Sequence, residues 1–141
     1  MELNPYLNFS GNCEEAFDFY AKTLGGKILF KMTHGESPEG HKFPEYRDKI
    51  MHATLQIGNQ RIMGSDAPPQ YYTKPQGLYV SINVPDVEES ERIYNALAEN
   101  ASVQMPLGKT FWAERFGMLT DRFGVPWMIN CEGAKTQQGA A

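Results

Sequence analysis

The stretch PYLNFSGNCEEAFDFYAKTL, residues 5–24, decides the fold because it changes from the period of a strand to that of a helix. Polar and apolar side chains alternate from Pro5 to Phe9, as in a half-buried strand. Ser10-Gly11-Asn12 then offers a turn and an N-cap, and apolar residues recur at helical spacing from Cys13 to Leu24. The stretch therefore predicts a strand followed by a helix.

The next residues predict three more strands around a long loop. We expect a strand at 27–34 and then an exposed loop at 35–49, rich in charge, glycine and proline, that forms a rim or a lid. Residues 50–57 alternate, which places His52, Thr54 and Gln56 on one face of a strand. Gly58-Asn59 turns this strand into the next one, at 60–66, and completes a βαβββ module.

The same order of elements follows a proline-rich connector. Pro68, Pro69 and Pro75 fix φ, so we expect residues 67–76 to be stiff and extended. The predicted elements of the second module are a strand at 77–84, a helix at about 86–100, a short strand at about 102–105, and a hairpin joining 117–121 to 125–132. Residues 133–141 are small and polar and predict a disordered tail.

Similar residues recur in the two modules, which indicates an internal duplication. With one extra residue in the first turn, Leu7, Phe9 and Tyr20 correspond to Ile82, Val84 and Tyr94, the pair Tyr6/Asn8 corresponds to Ser81/Asn83, and 60–63 corresponds to 125–128. We predict one α+β domain at 1–132, with module one at 1–66, a linker at 67–76 and module two at 77–132.

Composition and charge exclude several classes of partner. The 141 residues carry a formal charge of −4 with dispersed Lys and Arg, which argues against nucleic acid binding. We find no apolar run long enough to cross a membrane and no signal region at the start, so we expect a cytoplasmic protein without a membrane partner. Cys13 and Cys131 lack metal-type spacing and are expected to be free thiols.

Six motifs, spread over nearly the whole chain except the tail, are distinctive: PYLNFSGN (5–12), KIMHA (49–53), SD (65–66), TFW (110–112), FG (116–117) and TDRFGVPWMIN (120–130). Together they resemble the PhnB-like branch of the vicinal-oxygen-chelate (glyoxalase/bleomycin-resistance/dioxygenase) superfamily. This resemblance implies two βαβββ modules whose curled mixed sheets surround a cavity, usually in a homodimer. We expect module one of each chain to pair with module two of the other, because the stiff connector holds the modules apart.

The resemblance also implies where a metal site would lie. Metal-dependent members take four His or Glu ligands from the first and last strands of each module, and these places fall on Asn4, Met63, Tyr79 and Met128. Such side chains suit a hard or borderline dication poorly, so we expect no metal and no cofactor. The alternative is a metal-dependent lyase or dioxygenase with noncanonical ligands such as His52 and a loop carboxylate.

Some members of this branch carry a methyltransferase label. The common nucleotide site of such enzymes needs a glycine-rich turn between a strand and a helix. Gly25-Gly26 is instead predicted to end a helix and to enter a strand. The sequence therefore does not support that label.

Side chains that share the predicted cavity face supply the candidate site. The expected ligand-binding residues are Tyr6, His52, Met63, Ser65, Tyr79, Phe111, Trp112, Phe116 and Met128. Such a mixed polar lining suits a small neutral or zwitterionic ligand. His52 is the candidate for proton transfer, although a hydrogen-bonded structural histidine is the alternative. Trp112 lies in a predicted loop, where it either contacts ligand, caps the core or joins a dimer interface.

Other polar residues are assigned structural or solvent roles. His34 and His41 flank the charged loop and are expected to be solvated, while Asp66 and Asp121 close strands as turn or cap residues. The leading hypothesis is a PhnB-like protein that binds an unidentified small molecule in a metal-free cavity. Whether it is a binder or a metal-independent enzyme stays open at this point.

Overall fold

The computed structural model describes residues 1–133, and the predicted tail at 134–141 lies outside them. The chain divides into two units, residues 1–74 and the residues from Pro75 onward. Unit 1 contains β1 (Tyr6–Phe9), α1 (Cys13–Leu24), β2 (Lys27–Thr33), β3 (Ile50–Ile57) and β4 (Gln60–Asp66). Unit 2 contains β5 (Val80–Asn83), α2 (Val87–Ala98), β6 (Ser102–Gly108), β7 (Arg115–Thr120) and β8 (Pro126–Cys131).

Each unit is one four-stranded mixed sheet with one helix, so the predicted α+β class is confirmed. The strand order is β1-β4-β3-β2 in unit 1 and β5-β8-β7-β6 in unit 2. The outer strand β1 runs parallel to β4, and β5 runs parallel to β8, while the other pairs are antiparallel. Neither helix within residues 1–133 is long and apolar enough to cross a membrane.

Strand register confirms the residue-level duplication. Tyr6 lies opposite Met63 in unit 1, and Ser81 lies opposite Met128 in unit 2. These are the pairs that the sequence alignment with one extra residue predicts. The two modules therefore place the aligned residues at equivalent positions in their sheets.

In unit 1, α1 packs on one face of the sheet through aromatic side chains. Phe9, Phe17 and Tyr20 are buried, and the rings of Phe9 and Phe17 meet edge to face with centroids 5.9 Å apart. A Cβ added at Gly64 would lie 2.9 Å from the Phe17 ring and 2.9 Å from the carbonyl oxygen of Leu7. The helix can approach the sheet this closely only because residue 64 is glycine.

A buried carboxylate holds the start of α1. Asn12 is the N-cap residue, but its side chain makes no capping hydrogen bond. Asp66 Oδ1 instead accepts hydrogen bonds from the backbone amides of Gly11 and Cys13, each at 2.9 Å.

Burial, with the charge of Asp66, raises the pKa of the Cys13 thiol, which therefore stays protonated and unreactive.

Unit 2 has a corresponding core between α2 and its sheet. Ile93 and Leu97 of the helix are buried with Leu119, Trp127 and Ile129 of the strands. Asp121 Oδ2 accepts a hydrogen bond from Trp127 Nε1 at 2.8 Å, and its Oδ1 accepts from the amides of Phe123 and Val125. Asp66 and Asp121 are thus cap and turn residues, as predicted.

Three predicted element boundaries in unit 2 were wrong. The strand expected from Gly77 begins at Val80, because Gly77 has a φ of 81° that extended backbone does not adopt. The strand expected to end near Met105 continues to Gly108 across two irregularities in its pairing. The strand expected from Gly117 begins at Arg115, so Arg115 and Phe116 belong to a sheet and not to a loop.

The loop and connector of unit 1 are more structured than the sequence indicates. Two short 3₁₀ helices, Gly40–Lys42 and Pro44–Tyr46, lie within the predicted loop, and the amides of His34 and Gly35 donate to the carbonyls of Lys49 and Arg47. The connector is not extended throughout, because the amide of Tyr71 donates to the carbonyl of Pro68 in a turn. Both results reflect local backbone pairing that composition does not reveal.

Candidate functional site

The candidate site of unit 1 lies on the sheet face opposite α1. Leu7, Phe9, Ala53 and Leu55 are buried on the helix side, so strand alternation turns their neighbours to the other side. We call this side the open face. Its side chains are Tyr6 and Asn8 of β1, Met63 and Ser65 of β4, His52 and Thr54 of β3, and Phe30 and Met32 of β2.

His52 is the centre of a hydrogen-bonded chain on the open face. Its Nδ1 lies 2.9 Å from Tyr6 Oη, and its Nε2 lies 3.3 Å from Thr54 Oγ1. The rings of Tyr6 and His52 are stacked with centroids 5.6 Å apart, and the Phe30 ring is 5.9 Å from the imidazole. Both ring nitrogens of His52 are therefore held by hydroxyl groups that can either donate or accept.

This arrangement has a definite chemical capacity. If Tyr6 donates to Nδ1, the Nε2 proton of the neutral imidazole points at Thr54, and the opposite tautomer reverses both bonds. A proton can thus be exchanged between the phenol of Tyr6 and the imidazole without any backbone movement. Tyr6 is 47% exposed, so a molecule on the open face can reach this residue.

The equivalent place in unit 2 lacks this pair. Thr54 lies opposite Met63 in unit 1, and Met118 lies opposite Met128 in unit 2, so Thr54 corresponds to Met118. Two residues earlier in each strand, His52 therefore corresponds to Phe116. The counterpart of Tyr6 is Ser81. The tyrosine and histidine pair of unit 1 is therefore replaced in unit 2 by Ser81 and Phe116.

A second polar pair recurs in both units. Ser65 Oγ donates to Asn8 Oδ1 at 3.3 Å, and at the equivalent place Asn130 Nδ2 donates to Asn83 Oδ1 at 2.9 Å. Asn130 is only 7% exposed, and its Oδ1 has no hydrogen-bond partner among residues 1–133. The predicted binding residue Ser65 is thus already hydrogen-bonded across the sheet.

The predicted aromatic site in unit 2 forms a contiguous cluster. Trp112 meets Phe111 with ring centroids 4.8 Å apart and Phe116 with centroids 5.4 Å apart. Phe111 is 97% exposed and Trp112 is 39% exposed. The loop turns because the amide of Ala113 donates to Thr110 Oγ1 at 3.0 Å. The three rings are thus in contact, although Phe116 reaches the cluster from β7.

We predict that Trp112→Ala weakens ligand binding far more than it destabilises the fold. The indole contacts the rings of Phe111 and Phe116 and is 39% exposed, so its loss removes contact area for a ligand. Melting temperature, together with the binding constant for a ligand captured by native mass spectrometry, checks this. Tyr71→Ala, at another exposed aromatic, is the control. A large loss of stability with unchanged binding would show that Trp112 caps the core.

The four positions that the resemblance associates with a metal are not all in strands. Met63 and Met128 lie in β4 and β8, whereas Asn4 and Tyr79 precede β1 and β5. Asn4 Nδ2 donates to Glu2 Oε1 at 3.5 Å. In the part of the chain that the structure describes, no three His, Cys, Asp or Glu side chains are grouped closely enough to hold a metal ion.

One histidine prediction was wrong, and two site residues were not predicted. His34 is buried, with its Nε2 2.9 Å from the carbonyl oxygen of Asp66 and its ring against Phe43 and Tyr46, because the 35–49 loop folds over it. His41 is exposed, as expected. Thr54 and Phe30 contact His52 without having been singled out. Strand alternation reveals Thr54, but the irregular pairing between Ile28 and Phe30 hides the facing of Phe30.

Comparison with known proteins gives the family. The family model described as 3-demethylubiquinone-9 3-methyltransferase matches residues 1–130. The chain belongs to this family. The PhnB-like chain is 51% identical to protein PA1353 from Pseudomonas aeruginosa, whose crystal structure matches with a TM-score of 0.88 over 94% of this chain and 98% of that one. A PhnB protein structure from Bacillus cereus is 25% identical, with a TM-score of 0.80 over 93% of this chain and 99% of that one.

A more distant structure shares the fold. A member of the glyoxalase/bleomycin resistance protein/dioxygenase superfamily from Sphaerobacter thermophilus is 22% identical, with a TM-score of 0.56 over 94% of this chain and 98% of that one. The resemblance to PhnB-like proteins is confirmed, and the fold is the one found in this superfamily member. As predicted from the sequence, Gly25 ends α1 and Gly26 precedes β2.

Proposed function

We propose that this PhnB-like chain binds a small organic molecule on the open face of unit 1, with Tyr6 and His52 as its polar contacts. The observation that carries the proposal is the 2.9 Å contact between Tyr6 Oη and His52 Nδ1 on a half-exposed surface. A stacked, hydrogen-bonded tyrosine and histidine pair is preorganised, so a ligand loses little affinity to the ordering of these side chains.

The same pair supports acid and base chemistry without a metal. An imidazole held between two hydroxyls can accept a proton from a ligand through Tyr6 and return it later in a reaction. A binder and a metal-independent enzyme therefore share this site, and turnover of the bound molecule separates them. We do not propose the methyltransferase activity named for the family, because a nucleotide site of the common type needs a glycine-rich turn from a strand into a helix. Of the two such turns in this chain, 10–12 contains one glycine and 84–86 contains no glycine.

Matched variants test the proposal. A ligand captured from cell extract by native mass spectrometry should bind Tyr6→Phe and His52→Gln about tenfold or more weakly, since each change removes one hydrogen-bonding group. His41→Gln is the control, because His41 is an exposed histidine of the loop. Equal affinity in all four proteins would contradict the role of the pair.

We also propose that the protein as isolated holds no stoichiometric divalent metal at the superfamily site. Asn4, Met63, Tyr79 and Met128 offer neither imidazole nor carboxylate. Changing Asn4 and Tyr79 to His, and Met63 and Met128 to Glu, should create affinity for Zn²⁺ or Ni²⁺ where the parent has little. Metal analysis of protein purified without chelator checks this. Near-stoichiometric metal that is lost on His52→Ala would instead favour the metal-dependent lyase or dioxygenase.

We propose that the protein forms a homodimer in which module one of each chain pairs with module two of the other. Sedimentation at micromolar concentration distinguishes this dimer from a monomer.

A further inference from the structure

Two cationic side chains lie in one row at an end of the open face. Lys27 of β2 lies opposite Gln56 of β3, and Gln56 lies opposite Arg61 of β4. Residues that lie directly opposite each other across antiparallel strands point to the same side of a sheet. Lys27 and Arg61 therefore flank Gln56 on the open face, with Cα atoms about 10 Å apart for a spacing of about 4.8 Å between strands.

These two charges are not neutralised within the part of the chain that the structure describes. Neither Lys27 nor Arg61 forms an ion pair there, and both are exposed. The carboxylates of unit 1 next to the sheet are engaged on its other side, where Glu14 pairs with Lys31 and Asp66 is buried under α1. Glu2 precedes β1, and its Oε1 accepts a hydrogen bond from Asn4 Nδ2 at 3.5 Å.

The charge of the open face is thus opposite to that of the chain. The protein carries a formal charge of −4, whereas the strand residues that project from this face include two cations and no carboxylate. The remaining polar groups are the hydroxyls of Tyr6, Thr54 and Ser65, the amides of Asn8 and Gln56, and the imidazole of His52. A surface of this kind attracts anions and offers them hydrogen-bond donors.

The spacing between this row and the tyrosine and histidine pair limits the size of the ligand. Met63 and Thr54, two residues from Arg61 and Gln56, form the neighbouring row with Tyr6, and His52 lies one row beyond Thr54. At about 3.3 Å per residue, Tyr6 lies roughly 7 Å along the strands from the two cations, and His52 lies roughly 13 Å from them. A molecule that contacts both rows carries its negative charge at one end and a hydroxyl or carbonyl at the other.

From this arrangement we propose that the ligand of the open face is a small organic oxyanion, with a carboxylate or similar group between Lys27 and Arg61 and a hydroxyl or carbonyl at Tyr6 and His52. This inference rests on the proposed function and specifies its ligand class. The planar guanidinium of Arg61 forms two parallel hydrogen bonds to a carboxylate, and the Lys27 ammonium adds a second charge.

Nuclear magnetic resonance titration with 4-hydroxyphenylacetate and with its neutral amide tests the inference. The acid should bind at millimolar concentration and shift the backbone amides of Lys27, Gln56 and Arg61. The neutral amide should bind about tenfold more weakly, because it lacks the charge that the two cations attract. The double variant Lys27→Gln/Arg61→Gln should lose about tenfold in affinity for the acid.

A double variant with the same change in net charge is the control. Arg47→Gln/Lys74→Gln alters two exposed cations of unit 1 that lie outside the open face, and it should bind the acid like the parent. Absence of binding by the acid, equal binding of acid and amide, or equal loss in both double variants would overturn the inference.

A further variant distinguishes this inference from the proposed function. If Tyr6→Phe weakens binding of both probes while the charge variants do not, the tyrosine and histidine pair is supported and the oxyanion inference fails. If only the charge variants matter, the oxyanion group binds at Lys27 and Arg61, and the proposed role of Tyr6 and His52 fails.

Discussion

Replacing Asp66 by alanine should destabilise the protein by about 3 to 5 kcal/mol, one of the two largest effects expected for a single substitution. Asp66 is 1% exposed, and its carboxylate accepts hydrogen bonds from the amides of Gly11, Cys13 and Ile50 at 2.8 to 2.9 Å. Alanine leaves three amide donors without this acceptor, at the start of α1 and at the start of β3. Asparagine should be almost as harmful, because its NH₂ group faces a backbone donor.

Denaturant unfolding measures this effect as a lower midpoint at an unchanged slope. Asp48→Ala is the matched control, since Asp48 is an exposed loop carboxylate of unit 1, and its loss should change stability by less than about 0.5 kcal/mol. If Asp66→Ala and Asp48→Ala unfold at the same midpoint, the hydrogen bonds of Asp66 are not what holds α1 to the sheet.

The second large effect is expected for Asp121→Ala, which should lower the free energy of unfolding by about 2 to 4 kcal/mol. The carboxylate is 4% exposed and binds the amides of Phe123 and Val125 as well as the indole of Trp127. Trp127→Phe removes only the indole donor and part of the ring, and should cost less. Because the two residues share a hydrogen bond, the double variant should be less destabilised than the sum of the single changes.

Calorimetric or chemical unfolding of the single and double variants checks this cycle. Lys109→Ala, at an exposed residue that follows β6, provides the control for unit 2. Strict additivity of Asp121→Ala and Trp127→Phe would show that the 2.8 Å bond contributes nothing to the stability of the turn.

The Asp121 network also explains why the motif TDRFGVPWMIN is so distinctive. The turn from Asp121 to Val125 and the buried Trp127 depend on one another, so several positions in sequence are fixed by a single hydrogen-bonded cluster. The most recognisable motif of the chain is thus structural.

Alternation and duplication predicted the order of the strands and the facing of Tyr6 and His52. A strand has a period of two residues, so the facing of Tyr6 and His52 follows from sequence once each strand is located. Their mutual contact does not follow, because it depends on the registers of β1 with β4 and of β4 with β3. Tyr6 and His52 are 46 positions apart in the sequence, and they meet only because β4 pairs with both of their strands.

Local irregularity limited the remaining predictions. The irregular pairing between Ile28 and Phe30 shifts the facing of Phe30, and the 35–49 loop buries His34 through contacts with Phe43 and Tyr46. Neither effect has a periodic signature in the sequence. Phe116 was expected in a loop because the strand was predicted to begin at Gly117, but pairing with Asn130 places Phe116 in β7.

The central claim is that the open face of unit 1, through Tyr6 and His52, is where this PhnB-like protein binds its small-molecule ligand. A structure of the protein with the captured ligand tests it most directly. We predict that ligand atoms lie within hydrogen-bonding distance of Tyr6 Oη or of the His52 imidazole. A ligand bound instead in the open depression of about 680 Å³ beside Asp86, Glu89 and Arg92, with the open face empty, would contradict the account.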